Sequence, residues 1–181
     1  MKELFFLPLL LVALILVGCQ SHPTQTDPAA TLVPTSCGDV KNMHRVGDLY
    51  VAGAVTASDY PLLKERGIKT ILSIRHDSET PDFDEATLAR AQGMTYIHLP
   101  WSGPDELTDT KLDAMRRVLR EENRPMLFHC GSANRASSGW LAYRVLDQGV
   151  DLDTALSEAK TLGLRTPAYR TKALAYIQAR Q

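Results

Sequence analysis

Pro125-Met126-Leu127-Phe128-His129-Cys130-Gly131-Ser132-Ala133-Asn134-Arg135-Ala136-Ser137-Ser138-Gly139-Trp140 is the stretch around which the chain is organised. Met126 to Phe128 are apolar enough for a buried central strand. Gly131 to Asn134 are small and tolerate unusual backbone angles, and from Arg135 the pattern turns helical, with Leu141 and Val145 on one face. Cys130 therefore stands at a strand-to-helix switch. In an open α/β sheet, ligands bind beyond the carboxyl ends of the strands, where the next helix presents unpaired N–H groups and its positive dipole end. Such a crevice suits an anion. A helix N-terminus with a cation beside it also favours a thiolate, which makes Cys130 a candidate nucleophile. The planar fork of Arg135 can hold two oxygens of a phosphate or sulfate, so His129-Cys130, four intervening residues and Arg135 form a candidate anion cradle. The plainer alternative is a buried strand-end thiol and a surface arginine.

Outward from this stretch, the N-terminus carries Lys2, an apolar run from Leu4 to Val17, and then Gly18-Cys19. This reads as an export signal in which a small residue precedes a cysteine that becomes the lipidated N-terminus; an uncleaved anchor or an ordinary signal peptide would export the domain equally. Lipid on Cys19 would attach the protein stably to a bacterial membrane, facing the periplasm. Ser21 to Ser36 holds Pro23, Pro28 and Pro34 among Ser, Thr and Gln, without apolar period, and reads as a tether. The expected division is a signal peptide over 1–18, a lipidated terminus and linker over 19–38, and one folded domain over 39–181. A net charge of −1 without a basic run makes nucleic acid an unsuitable partner. With Cys19 assigned to lipid, Cys37 and Cys130 remain. A disulfide between them would abolish cradle chemistry, so Cys37 is read as an exposed or half-buried thiol without a role.

The domain alternates short strands and helices. Leu49–Ala52, Lys69–Ile74 and Met94–Leu99 read as strands. Helices are expected from about Thr56 to Arg66, with Pro61 in its first turns, and from Asp82 or Asp84 to Gly93. A third begins at Thr108, with Leu107 and Leu112 as its hydrophobic staple. After the cradle helix, one is begun by Asp151 or Asp153 and stopped at Gly163, and another is begun by Thr166-Pro167. The fold class is α/β, a single domain with a central, mostly parallel sheet flanked by helices.

From about Val46 onward the chain resembles the cysteine-dependent protein tyrosine and dual-specificity phosphatase superfamily, most closely its small bacterial branch, the beta-lactamase-hydrolase-like phosphatases. The residues that carry this are Leu49-Tyr50-Val51-Ala52-Gly53, Ile71-Leu72-Ser73-Ile74-Arg75, Tyr96-Ile97-His98-Leu99-Pro100 and the cradle from His129 to Ser137. The resemblance implies a dual-specificity-phosphatase-like fold. It also implies attack on phosphorus by Cys130, with the phosphoryl oxygens held by Arg135 and the loop Gly131, Ser132, Ala133 and Asn134. An aspartate would protonate the leaving group, and water would hydrolyse the cysteinyl phosphate. Two features depart from the usual signature. Four residues separate Cys130 from Arg135 where five are usual, a spacing shared with rhodanese-like sulfurtransferases. Ala136 also stands where a hydroxyl is usual, leaving Ser137 to supply it.

Trp101-Ser102-Gly103-Pro104-Asp105-Glu106 occupies the place of the superfamily's acid-bearing loop, so Asp105 is the expected general acid, with Glu106 its alternative; Asp109 better serves the helix dipole. His129 is expected to orient the loop, and Arg75 to line the site. His22, His44 and His98 share no ligand spacing with cysteines or carboxylates, so no metal site is expected, and no cofactor is expected either. Three readings follow: a phosphatase acting on a phosphate monoester, a sulfurtransferase using the short loop, or a non-catalytic anion-binding lipoprotein.

Overall fold

A computed structural model describes residues 30–80 and 82–181; the expected export signal, Cys19 and the expected tether up to Ala29 lie outside the described residues. In chain order the elements are β1 (Val33–Pro34), β2 (His44–Val46), β3 (Leu49–Ala52), α1 (Asp59–Glu65) and β4 (Thr70–Ser73). A 3₁₀ turn (Asp77–Glu79), α2 (Glu85–Ala91), β5 (Thr95–His98), α3 (Gly103–Glu106) and α4 (Asp109–Glu121) follow. The chain ends with β6 (Met126–His129), α5 (Asn134–Leu146), α6 (Leu152–Leu162) and α7 (Pro167–Gln178). The strands form one sheet of order β1-β2-β3-β6-β4-β5. β3, β6, β4 and β5 are parallel neighbours, and β1 and β2 are antiparallel at one edge.

All four residues of β6 are buried, as they are in β4, because helices cover both faces of a parallel sheet. On one face Val51, Leu72 and Phe128 pack with Leu112, Met115, Trp140 and Leu141; on the other Ala52, Ile71 and Leu127 pack with Tyr60, Leu63 and Ala89. Helix starts follow the chemistry read from the sequence. Asp84, Thr108 and Asp151 each accept a hydrogen bond from a backbone N–H of the first turn they precede, at 3.0, 3.3 and 2.9 Å.

Three expectations are corrected. The end of the supposed linker is part of the fold: Val33 and Pro34 pair with Arg45 and His44 of β2, a strand the sequence did not announce, and Ala30 and Leu32 pack against the core. Cys37, read as exposed or half-buried, is 5% exposed and packs with Val40, Met43 and Ile68. Residues 103–106, read as loop, close one helical turn as α3.

Candidate active site

Parallel pairing brings the carboxyl ends of β3, β6, β4 and β5 to one edge, with His129 in register with Ala52 and Ser73. Cys130 follows immediately. It is 1% exposed, and its N–H donates to the Ala52 carbonyl at 3.3 Å. The loop after it lies against the end of β3, where the Ala54 N–H donates to the Gly131 carbonyl at 3.1 Å. That approach requires Gly53, since a Cβ there would stand 3.2 Å from the Ser132 Cα. Ala133 adopts the left-handed conformation at φ 62°, a cost of about 1 kcal/mol for a residue with a Cβ. The isolated antiparallel bridge between Gly53 and Ser132 engages part of the loop backbone; among the described residues, no group accepts from the N–H groups of Gly131, Asn134 and Arg135. They are the free donors that the start of α5 leaves to a ligand.

Arg135 reaches across three loops. Its Nη1 donates to the Ile74 carbonyl at 3.1 Å, the Trp101 carbonyl at 2.7 Å and Glu79 Oε1 at 2.8 Å, and its Nη2 to Glu79 Oε2. Glu79 thus takes the end-on edge of the guanidinium, while the edge formed by Nε–H and the second Nη2 hydrogen carries no bond to a described residue. A Cβ on Gly131 would lie 3.6 Å from both Arg135 Nη2 and Glu79 Oε2, which places this pair over the loop. Partial burial works to raise the Glu79 carboxyl, but hydrogen bonds from Arg135 and the His76 N–H, with the Arg135 charge, hold it below the usual range.

The acid segment and the 3₁₀ turn touch through Glu106 and His76. Asp105 is exposed, without a hydrogen bond or ion pair to a described residue. Glu106 is committed to other partners: it accepts from the Ser102 N–H at 2.8 Å and contacts His76 Nε2 at 3.2 Å. Asp109, first residue of α4, pairs with Arg180 at 3.2 Å.

Several expected site residues do something else. The Ser137 hydroxyl donates to the Ala133 carbonyl at 2.6 Å, so it secures the strained residue and does not supply the hydroxyl expected near the thiol. The Asn134 side chain faces away, donating to Thr166 Oγ1 at 2.8 Å and accepting from the Arg165 N–H at 2.9 Å; only its backbone belongs to the loop. Arg75 does not line the site. Its guanidinium is buried between Glu85, at 3.2 Å, and the Glu79 carbonyl, where it holds the turn that presents Glu79. His129 lies beneath the cradle, fully buried, 3.7 Å from Glu85 Oε2, with neither ring nitrogen hydrogen-bonded to a described residue. Burial lowers its pKa, with Glu85 opposing and losing. Glu79 and Arg165, whose Nη2 donates to Ser132 Oγ at 2.9 Å, were missed. Their only sequence signals are positions just after a predicted strand and just after a helix-stopping glycine.

Residues 42–146 match the family described as beta-lactamase hydrolase-like protein, phosphatase-like domain. A beta-lactamase hydrolase-like protein of Agrobacterium fabrum is 30% identical over 119 residues, covering 64% of this chain and 27% of that protein. The chain spans between 27% and 35% of the length of the curated relatives it matches. Among solved structures, TpbA of P. aeruginosa superposes with a TM-score of 0.63 at 24% identity, covering 82% of this chain and 89% of TpbA, and a cysteine-to-serine form of it is known in complex with pTyr. The catalytic core of the PP-IP phosphatase SIW14 of S. cerevisiae gives a TM-score of 0.65 at 20% identity, covering 78% and 88%. The chain belongs to the beta-lactamase hydrolase-like phosphatase family and carries the fold of the cysteine-dependent phosphatase superfamily.

Proposed function

We propose that this family member hydrolyses phosphate monoesters through a cysteinyl-phosphate intermediate. The observation that carries the reading is the fork of Arg135, held over Gly131 with its Nε edge unoccupied, together with the free N–H groups of Gly131, Asn134 and Arg135 in the loop that follows Cys130. The phosphoryl oxygens accept from those donors, which are pre-set for the charge of the transition state. The Cys130 thiolate attacks phosphorus, the S–P bond forms, and the P–O bond of the leaving group breaks. Asp105 gives the departing oxygen its proton. Water then attacks phosphorus, its proton passes to Asp105, and the S–P bond breaks to return the thiolate. Glu79 positions Arg135, and the freedom of Asp105 beside Glu106, which is bonded to Ser102 and His76, supports its choice as acid. The pTyr complex of the structurally similar TpbA supports an aryl phosphate as test substrate.

Export and lipid anchoring through Cys19 are part of the proposal, supported by the apolar run that precedes it. The deciding experiment compares an aryl phosphate and an alkyl phosphate on wild type, Cys130→Ser and Asp105→Asn. Cys130→Ser abolishes turnover of both. Asp105→Asn costs ~10² or more on the alkyl ester and far less on the activated aryl ester, because only the poor leaving group needs its proton. Transfer of sulfur from thiosulfate to cyanide, with every phosphoester untouched, overturns the phosphatase reading in favour of a sulfurtransferase.

A further inference from the structure

The end of α6 and the start of α7 enclose a cleft of about 270 Å³, with Leu164 and Leu174 on its walls and Lys160, Arg165 and Arg170 around it. Its position relative to the cradle is direct. Arg165 lines the cleft and at the same time donates to Ser132 Oγ at 2.9 Å, while Thr166 accepts from Asn134 Nδ2 at 2.8 Å. The cleft and the cradle loop therefore meet at the Arg165 side chain. Gly163, at φ 118°, makes this possible: a Cβ there would come within 3.3 Å of the Ser132 carbonyl.

The charges of the cleft are uncommitted. Arg75, Arg116, Arg124, Arg135 and Arg144 each face a carboxylate at hydrogen-bonding distance, whereas Lys160, Arg165 and Arg170 form no ion pair with a described residue. The opposite side of the cradle has the reverse sign. There Asp77, Asp82 and Asp84, with His98 and the Arg75-paired Glu85, line a larger cleft over α2 and β5, beyond Glu79. The α6 end lies toward β2 and β3, where the Leu162 carbonyl accepts from Asn42 Nδ2. A phosphomonoester seated in the cradle thus meets a field that repels further negative charge on the β5 side and attracts it on the α6–α7 side.

We propose that the α6–α7 cleft binds a second anionic group of the substrate, so that the preferred substrate is a phosphomonoester with another phosphate near the scissile one. This rests on the phosphatase reading above. Arg165 and Arg170 supply planar forks suited to phosphate oxygens, and Lys160 adds a point charge. The bound second phosphate acts through KM more than kcat, because it contributes equally to ground and transition states.

The test compares phenyl phosphate with 1,3-phenylene bisphosphate at low ionic strength. Wild type turns over the bisphosphate with at least tenfold higher kcat/KM, carried by KM. Lys160→Ala combined with Arg170→Ala brings the ratio near one while phenyl phosphate turnover stays within about twofold. A wild-type ratio near one, or a ratio that survives the double substitution, overturns the proposal. Calorimetric titration of Cys130→Ser with both compounds separates it from the activity. Equal affinities overturn the second site, whereas tighter bisphosphate binding without any turnover by wild type supports the site and overturns the phosphatase reading alone. A phosphotyrosine peptide with acidic neighbours, assayed alongside, assigns the second anion to a peptide if it shows the same gain and the same loss, and to a small bisphosphate if it does not.

Discussion

Replacing Glu79 with glutamine keeps the shape of the side chain and removes its charge. In the structure both carboxylate oxygens accept from Arg135, one at 2.8 Å, and the pair is 30% exposed on the glutamate side and 11% on the arginine side. A glutamine accepts through one oxygen and turns an NH₂ group toward the guanidinium. Hydrogen bonds between charged partners contribute about 1.5–3 kcal/mol each, and solvent-facing pairs only up to ~1 kcal/mol. For this half-screened pair the loss of positioning is about 1–2 kcal/mol, or roughly 5- to 30-fold in kcat/KM. The assay is aryl phosphate turnover from pH 4.5 to 7.5, with thermal melting to show that the fold persists. Because the carboxyl is held below its ordinary value of 4.5, the advantage of wild type over Glu79→Gln persists down to that pH. An increase in kcat/KM would refute the reasoning, since the carboxylate would then be competing with substrate phosphate for the fork. No change would show that Ile74 and Trp101 carbonyls suffice to hold Arg135.

Burial of His129 depresses its pKa below 6.5, so between that pH and its folded value the unfolded chain binds the extra proton. Its contribution to stability is complete above pH 6.5 and is lost on acidification by up to ~1.4 kcal/mol per pH unit; chemical denaturation at pH 7.5 and 5.5 should show a steeper loss for wild type than for His129→Gln. Gly139 lets α5 lie close on β6, since a Cβ there would stand 3.0 Å from Met115 Sδ and 3.2 Å from Phe128 Cζ. Gly139→Val overpacks this contact at a cost of about 1–3 kcal/mol, read as a lower melting temperature, and an unchanged melt would show that Met115 simply yields. For the N-terminus, intact mass of the membrane-extracted protein is expected to show a lipidated Cys19; an unmodified Cys19, or cleavage elsewhere, sinks the anchor.

How far the chain could be read without coordinates depended on how local the governing physics was. The strand, small-residue loop and helix around Cys130 were legible because apolar runs, loop residues and helical period act within a few positions, and the same holds for the caps Asp84, Thr108 and Asp151. The placement of Cys130 and Arg135 at one sheet edge followed, since parallel strands gather their carboxyl ends. What faces those residues was not legible. Glu79 meets Arg135 across 56 positions of sequence and Arg165 meets Ser132 across 33, and no period or spacing encodes such pairs. Side-chain direction was equally hidden: Ser137, Asn134 and Arg75 have the right chemistry for an anion site, yet each lies nearer to a backbone group or buried carboxylate that claims it. The docking of β1 and the burial of Cys37 arose the same way, because a polar, proline-bearing segment orders only when an exposed strand edge such as β2 offers it hydrogen bonds.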